Sequence, residues 1–301
     1  MKRVFVSCPT SQGLNRAQQQ MKTAIIKTLG DADLDAQLFG EVGIPLKVSW
    51  SFDKAEQLMS GCDAAVVLAF VRHSYKADDG QPVEFASEYN HYEGALAVAH
   101  KLPLLIIAEE GVSDRGITYH GGGRYIIPMP SSTKPAWLKG KAFRPYFEEW
   151  MKSVRERRDV FFGYCSKAQG TADAIIKHLQ NVLNLSVLDW AVDFAPGQSI
   201  LNRITEASEK CRAGIFLFTK DDELATSNGG AAPRDNVVFE AGFLMHAKAS
   251  SRVLIILESG TKMPADLGGY IYASLRDRSS IDSIKDSLRQ FSDSAFEVKI
   301  H

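Results

Sequence analysis

Gly214-Ile215-Phe216-Leu217-Phe218-Thr219, then a polar loop, then Arg234-Asp235-Asn236-Val237-Val238-Phe239-Glu240-Ala241-Gly242, then Val253-Leu254-Ile255-Ile256-Leu257: this order decides the fold. The first and last runs are continuously apolar, the pattern of strands buried on both faces of a parallel sheet. Parallel strands need a crossover, and residues 235–249 have the length and composition of a crossover helix. Asn236 and Glu240 stand four apart, so they share a face of that helix within its opening turns. Those turns lie beside the carboxyl ends of the strands, where open α/β sheets bind ligands. Two readings of Glu240 are open here. It holds a substrate sugar, or it is a negative charge favoured by the helix dipole.

The same environment occurs twice. Thr23-Ala24-Ile25-Ile26-Lys27-Thr28-Leu29 reappears about 150 residues later as Asp173-Ala174-Ile175-Ile176-Lys177-His178-Leu179. Val4-Phe5-Val6-Ser7-Cys8-Pro9 matches Val160-Phe161-Phe162-Gly163-Tyr164-Cys165, and Cys62-Asp63-Ala64-Ala65-Val66-Val67-Leu68 matches Cys211-Arg212-Ala213-Gly214-Ile215-Phe216-Leu217. His91-Tyr92-Glu93-Gly94-Ala95 followed by Leu104-Leu105-Ile106-Ile107 matches the Glu240 block and its following strand. Four landmarks in preserved order imply two copies of one α/β domain, each with a glutamate on the helix after its third strand. The expected architecture is two tandem flavodoxin-like, doubly wound domains with parallel sheets, over 1–152 and 159–301.

Length agrees, since 301 residues make two domains of ordinary size. Thirty-five basic against thirty-six acidic residues leave a net charge of −1, which gives no general drive toward nucleic acid or anionic membrane. Arg155-Glu156-Arg157-Arg158 reads as the solvated end of a helix, where cations suit the dipole. No apolar run reaches the length of a spanning helix, and Met1-Lys2-Arg3 leads into a short strand rather than a signal sequence, so a cytoplasmic protein is expected. Cys8, Cys62, Cys165 and Cys211 have no metal-type spacing and fall near or within expected core strands. They read as free thiols of a reducing compartment, and no metal site is expected.

Along the first copy, the pattern predicts a helix over 15–29, a strand over 45–50, a helix over 53–60, strands over 64–70 and 104–108, and a loop-rich segment over 116–135. Trp137, Phe143, Tyr146, Phe147 and Trp150 are expected to pack a closing helix onto the first domain, with a linker over 153–159. The second copy predicts strands over 160–164, 185–190, 214–219 and 252–257. Its helices are expected over 171–183, 199–211 and the Glu240 segment, with a tail helix over 280–291.

The second copy also resembles a known family. Its matching pieces are Val160-Phe161-Phe162, Pro196-Gly197-Gln198-Ser199-Ile200, Phe218-Thr219-Lys220-Asp221-Asp222, the block from Arg234 to Glu240, and Met263-Pro264-Ala265-Asp266-Leu267-Gly268-Gly269-Tyr270-Ile271-Tyr272. In this order they resemble the TIR-like domains of bacterial antiphage effectors attached to cyclic-nucleotide signalling systems such as CBASS and Pycsar. The resemblance implies hydrolysis of NAD⁺ at the nicotinamide–ribose bond, with Glu240 catalytic and NAD⁺ as substrate rather than cofactor. The chemistry is coherent: nicotinamide leaves as a neutral molecule and needs no general acid, while a carboxylate can hold the ribose and face its developing positive charge. Tyr164 and Ser166 are candidates for the nicotinamide side, and Asp221, Asp222, Arg234 and Asn236 for the ribose or diphosphate. A turn or cap role stays open for each. Asp193-Phe194-Ala195-Pro196-Gly197-Gln198 matches the loop through which such domains contact one another. Phe194, Pro196 and Gly197 are thus candidates for an assembly loop of a homo-oligomer, the alternative being Phe194 folded back onto the core.

The first copy lacks the Pro-Gly loop, the Asp-Asp pair and the Arg-Asp-Asn block. Its segment Glu88-Tyr89-Asn90-His91-Tyr92-Glu93-Gly94-Ala95 also resembles the glutamate segment of nucleoside deoxyribosyltransferase-like proteins. Sensing, dimerisation or partner binding is the leading expectation for it, with Glu93 as a second N-glycosidase site the other reading. Two classes therefore stand for the whole chain: a regulated NAD⁺ nucleosidase acting in antiphage defence, or a non-catalytic nucleotide-binding or signalling module. The partners expected are NAD⁺ and a nucleotide second messenger or partner protein.

Overall fold

The computed structural model describes residues 1–44, 48–189, 199–223, 230–248 and 250–296. The chain divides into two compact units, Met1–Glu156 and Arg157–Glu297.

In the first unit the order is β1 (Lys2–Ser7), α1 (Arg16–Asp31), β2 (Leu34–Gln37), α2 (Phe52–Ser60), β3 (Ala64–Ala69), a hairpin of β4 (His73–Lys76) and β5 (Pro82–Phe85), α3 (Glu88–Ala99), β6 (Leu104–Glu109), β7 (Ile126–Met129) and α4 (Arg144–Glu156). The sheet order is β2-β1-β3-β6-β7 with every pair parallel. Alternation along β1 sends Val4 and Val6 to one face, against Met21, Ile25 and Leu29 of α1 and Phe147, Trp150 and Val154 of α4. Phe5 goes to the other face, against Leu58 and Met59 of α2 and Ala97 of α3. The aromatic cluster thus closes the first unit through α4. A capping box between Asn15 and Gln18 starts α1.

Three expectations are corrected. The second strand is Leu34–Gln37, not 45–50: the chain turns back directly after α1, and four residues suffice for an edge. The Gly- and Pro-rich segment contains β7, whose exposed Pro128 is tolerated because β7 is an edge strand with no neighbour on its far side. The linker is taken up by the end of α4 and the start of the next strand, which leaves Arg157 between them.

The second unit runs β8 (Arg158–Tyr164), α5 (Gln169–Asn181), β9 (Val187–Asp189), α6 (Ile200–Lys210), β10 (Cys211–Phe218), a small antiparallel pair of β11 (Asp222–Glu223) and β12 (Ala231–Ala232), α7 (Asp235–Lys248), β13 (Val253–Glu258), β14 (Ala273–Leu275) and α8 (Lys285–Phe296). The tail helix therefore begins five residues later than the sequence pattern suggests, after a short turn around Ile284. The sheet order is β14-β13-β10-β8-β9, again wholly parallel and the same winding as in the first unit. Val160, Phe162 and Tyr164 face α5 and α8. Phe161, Phe216 and Phe218 face Ile204 and Ala207 of α6 and Val237, Ala241 and Leu244 of α7.

The two sheets share register. Ser7 pairs with Val67 as Gly163 pairs with Phe216, so the repeat read from sequence is a repeat in three dimensions at the central strands. All four cysteines are free; burial pushes the Cys211 thiol up to about 12, which leaves it unreactive near neutral pH. Among the described residues, no helix is long and apolar enough to cross a membrane.

Candidate functional site

In the second unit α7 buries Val237, Ala241 and Leu244, and Glu240 lies beside that stripe, 7% exposed. The carboxylate rests over the backbone of β8. A Cβ on Gly163 would come within 3.0 Å of Glu240 Oε2 and within 2.6 Å of the Phe216 ring. Glycine is therefore required there by close approach rather than by backbone angle. Burial pushes the Glu240 carboxyl up to about 7, with the charge of Arg203 on α6 pulling the other way; no hydrogen bond from a described residue contributes. Glu240 is thus a buried carboxylate left without a donor, at the carboxyl edge of a parallel sheet.

The other expected site residues divide around it. Arg234, exposed at the start of α7, interacts with Cys165 at the end of β8 and pairs with Asp222 at 3.3 Å. Asn236 and Ser166 are exposed, Asn236 one turn before Glu240 on the same helix. Asp221 is buried and committed, since both its oxygens accept from the Thr219 hydroxyl at 2.8 and 2.9 Å. Tyr164 belongs elsewhere. It follows Gly163 and so points to the opposite face of the sheet, where its hydroxyl lies 3.0 Å from Asp189 Oδ1 and 3.2 Å from Gln169 Oε1. Burial pushes that phenol up to about 12, with the Asp189 charge adding to the effect against the Gln169 hydrogen bond. Phe194, Pro196, Gly197 and the neighbouring Trp190 lie outside the described residues.

A network that the sequence reading did not pick out joins the strand ends. Glu258, buried at the end of β13, accepts from the Lys220 amide at 2.8 Å and from Arg278 Nε and Nη2 at 3.1 and 2.9 Å. Burial would raise its carboxyl, and these donors override that and hold it below the ordinary carboxylate range. Arg278 also donates to the carbonyls of Lys167 and Lys220, and Lys167 Nζ donates to the Asp221 carbonyl at 2.7 Å. The loops after β8, β10 and β14 are held together by these bonds. The signal in the sequence was an acidic residue closing an apolar strand, which demands a cation within reach.

The first unit carries the counterpart glutamate in a different setting. Glu93 is 5% exposed, and the indole of Trp50 donates to its Oε1 at 2.8 Å. Burial pushes its carboxyl up to about 7 against hydrogen bonds from Ser7 and Trp50. Where the second unit has Gly163 and Val237, the first has Ser7 and Asn90, joined by a hydrogen bond of 2.8 Å from Asn90 Nδ2. Glu93 lines a cavity of about 400 Å³ together with Cys8, Phe39, Trp50, Arg72 and Tyr89, among others.

Fold and site together define the second unit as a doubly wound α/β domain with one unclamped carboxylate on the helix after its third strand. Residues 159–277, nearly all of that unit, match the family model described as "CAP12/Pycsar effector protein, TIR domain". A protein of Sphingobacterium faecium named CD-NTase-associated protein 12 is 30% identical over 139 residues, covering 44% of this chain and 42% of that protein. Its namesake from Flavobacterium daejeonense is 39% identical over 83 residues, covering 27% and 26%. The chain thus spans less than half the length of these relatives. Among solved structures, the TIR domain of the Toll-related receptor TRR-2 from Hydra magnipapillata is 13% identical, covering 44% of this chain and 98% of that one with a TM-score of 0.35.

Proposed function

We propose that the second unit cleaves the nicotinamide–ribose bond of NAD⁺ and that the chain acts as an effector of antiphage defence within a cyclic-nucleotide signalling system. The observation that carries the catalytic reading is Glu240 itself. A buried carboxylate without a donor costs stability in the resting protein, and ribose hydroxyls are the donors that would satisfy it. As the glycosidic bond lengthens, positive charge grows on the ribose. A carboxylate already in place and already desolvated stabilises that charge without reorganising. Nicotinamide departs neutral, which explains why one acidic residue suffices where ordinary glycosidases use two. Arg234, at the start of α7, is placed to meet the diphosphate once Asp222 yields.

The names of the relatives support the defence setting and a nucleotide second messenger as the activating signal. The match of residues 193–198 to an assembly loop supports action as a homo-oligomer through Phe194, Pro196 and Gly197. The deciding assay is release of nicotinamide from NAD⁺ by the purified chain, alone and with cyclic nucleotides. Release abolished by Glu240→Gln supports the reading. Release unchanged by that substitution removes Glu240 from the chemistry, and NAD⁺ binding without release under any condition leaves a binding module. Activity per chain that is independent of protein concentration, and equal in Phe194→Ala, would remove the assembly step.

A further inference from the structure

Glu93 and its cavity are not used by the reaction just described, yet they form a built site. Trp50 is ringed by aromatics. Its ring lies edge-on to Phe52 at 5.0 Å, Tyr89 at 4.6 Å and Tyr92 at 5.9 Å, and Phe52 and Tyr89 are more than half exposed. Exposed rings in contact around an indole are costly in water unless something covers them. Trp50, Tyr89 and Phe39 give the cavity flat apolar surfaces, and Glu93 places a desolvated carboxylate against it. Trp50 takes up only one direction at Oε1, so the carboxylate keeps acceptor capacity for a ligand. Arg72 and His73 add cationic groups to the lining. Among the described residues Arg72 makes a single hydrogen bond, from Nη1 to the Gly13 carbonyl at 3.0 Å, which leaves the other guanidinium donors available. The acidic group nearby, Glu88, is solvent-exposed and stands 3.7 Å from His73, so it does not compete for Arg72.

Three chemistries are therefore assembled around one cavity: an aromatic surface, a buried acceptor and a guanidinium. We propose that the first unit binds a nucleoside 5′-monophosphate, with the base on Trp50 and Tyr89, the ribose diol donating to Glu93, and the phosphate on Arg72. The volume, about 400 Å³, lies in the range of sites that enclose small molecules. Each partner answers one part of the ligand. Stacking is indifferent to which base is present, the diol supplies the two donors a carboxylate accepts side by side, and a guanidinium forks onto a phosphate. Burial, which pushes the Glu93 carboxyl up to about 7, makes the arrival of two donors more favourable than it would be at an exposed carboxylate.

The test uses the full chain and isothermal titration calorimetry with AMP, adenosine and ribose 5-phosphate, comparing wild type with Glu93→Gln, Arg72→Ala and Tyr89→Ala. Glu93→Gln is nearly isosteric and still accepts from Trp50; Arg72 and Tyr89 are exposed, so their truncation spares the core. AMP is expected to lose about tenfold or more in affinity in each variant, one charge-assisted or stacking contact at a time. Adenosine should be insensitive to Arg72→Ala, and ribose 5-phosphate insensitive to Tyr89→Ala. Failure of all three probes to bind at millimolar concentration would overturn the proposal. So would AMP binding that none of the variants weakens, which would locate it outside this cavity. Nicotinamide release is not read in this experiment, so the proposal stands or falls separately from the assignment of Glu240.

Discussion

Glu240→Gln should move activity and stability in opposite directions. The carboxyl lies at 4.5 when free and is pushed up to about 7 by burial. Folding therefore favours its protonated form, and the sign follows: between those two values the folded state binds more protons than the unfolded state, so stability falls as pH rises. Below 4.5 the side chain costs nothing through this route, and above about 7 the full penalty is present. At 1.36 kcal/mol per pH unit, the difference amounts to about 3 kcal/mol at pH 8 and to less than about 1 kcal/mol at pH 5. Glutamine has nearly the same shape and no charge, so the variant should be more stable at pH 8 by up to that amount, on the order of 10 °C in the transition of a unit this size. At pH 5 the two proteins should melt almost together. Nicotinamide release at pH 8 should meanwhile fall by about 10²–10³ or more, as on loss of one preorganised electrostatic group. Differential scanning calorimetry at the two pH values and a nicotinamide assay on the same samples suffice. A variant that is less stable than wild type at pH 8 would refute the reasoning, because it would mean that the charge is already compensated in the resting protein.

Three further outcomes follow from neighbouring residues. Gly163→Ala drives a methyl toward the Phe216 ring and the Glu240 carboxylate; it should destabilise the second unit by about 1–3 kcal/mol in denaturant titration and reduce nicotinamide release with it. Arg278→Met leaves Glu258 buried without its guanidinium and should cost about 3–5 kcal/mol at pH 7. Because the Glu258 carboxyl is held low in the folded protein, the stability it lends is present above the ordinary carboxylate range and lost as pH falls through its folded value, so the gap between variant and wild type should narrow in acid. Tyr164→Phe removes a hydroxyl bonded to Asp189 on the face of the sheet away from Glu240, and should lower stability by about 1 kcal/mol while nicotinamide release persists.

The central strands were readable because burial on both faces writes an unbroken apolar run, as in 64–69 and 213–218, and the glutamate helices because they sit between such runs. Edge strands were not. Leu34-Asp35-Ala36-Gln37 is short and half polar, whereas Val48 and Trp50 lie in a stretch with stronger alternation that forms no strand among its described residues. β7 hides among glycines and prolines because an edge tolerates them. At the site, Glu240 was legible from its place after the third strand. Tyr164 was misjudged as a site residue because a one-residue step along a strand reverses its face, and the sequence does not say which face the glutamate occupies. The Trp50–Glu93 bond and the Glu258–Arg278 pair join residues far apart in the chain, and no spacing rule reaches that distance. Gly163 did carry a signal, a glycine where the first copy has Ser7, whose meaning emerges only with Glu240 above it.

That exchange has a consequence for how such proteins diversify. Ser7 and Asn90 against Gly163 and Val237 are two positions in an otherwise shared scaffold, and they decide whether polar groups or bare backbone and an alkyl side chain lie around the glutamate. Neither position contributes to strand order or to the apolar layers that hold the sheet. A gene duplication could therefore retune one glutamate through a pair of substitutions while the other stayed as it was, so a single chain can keep one copy's chemistry under selection and leave the second free to acquire a new ligand.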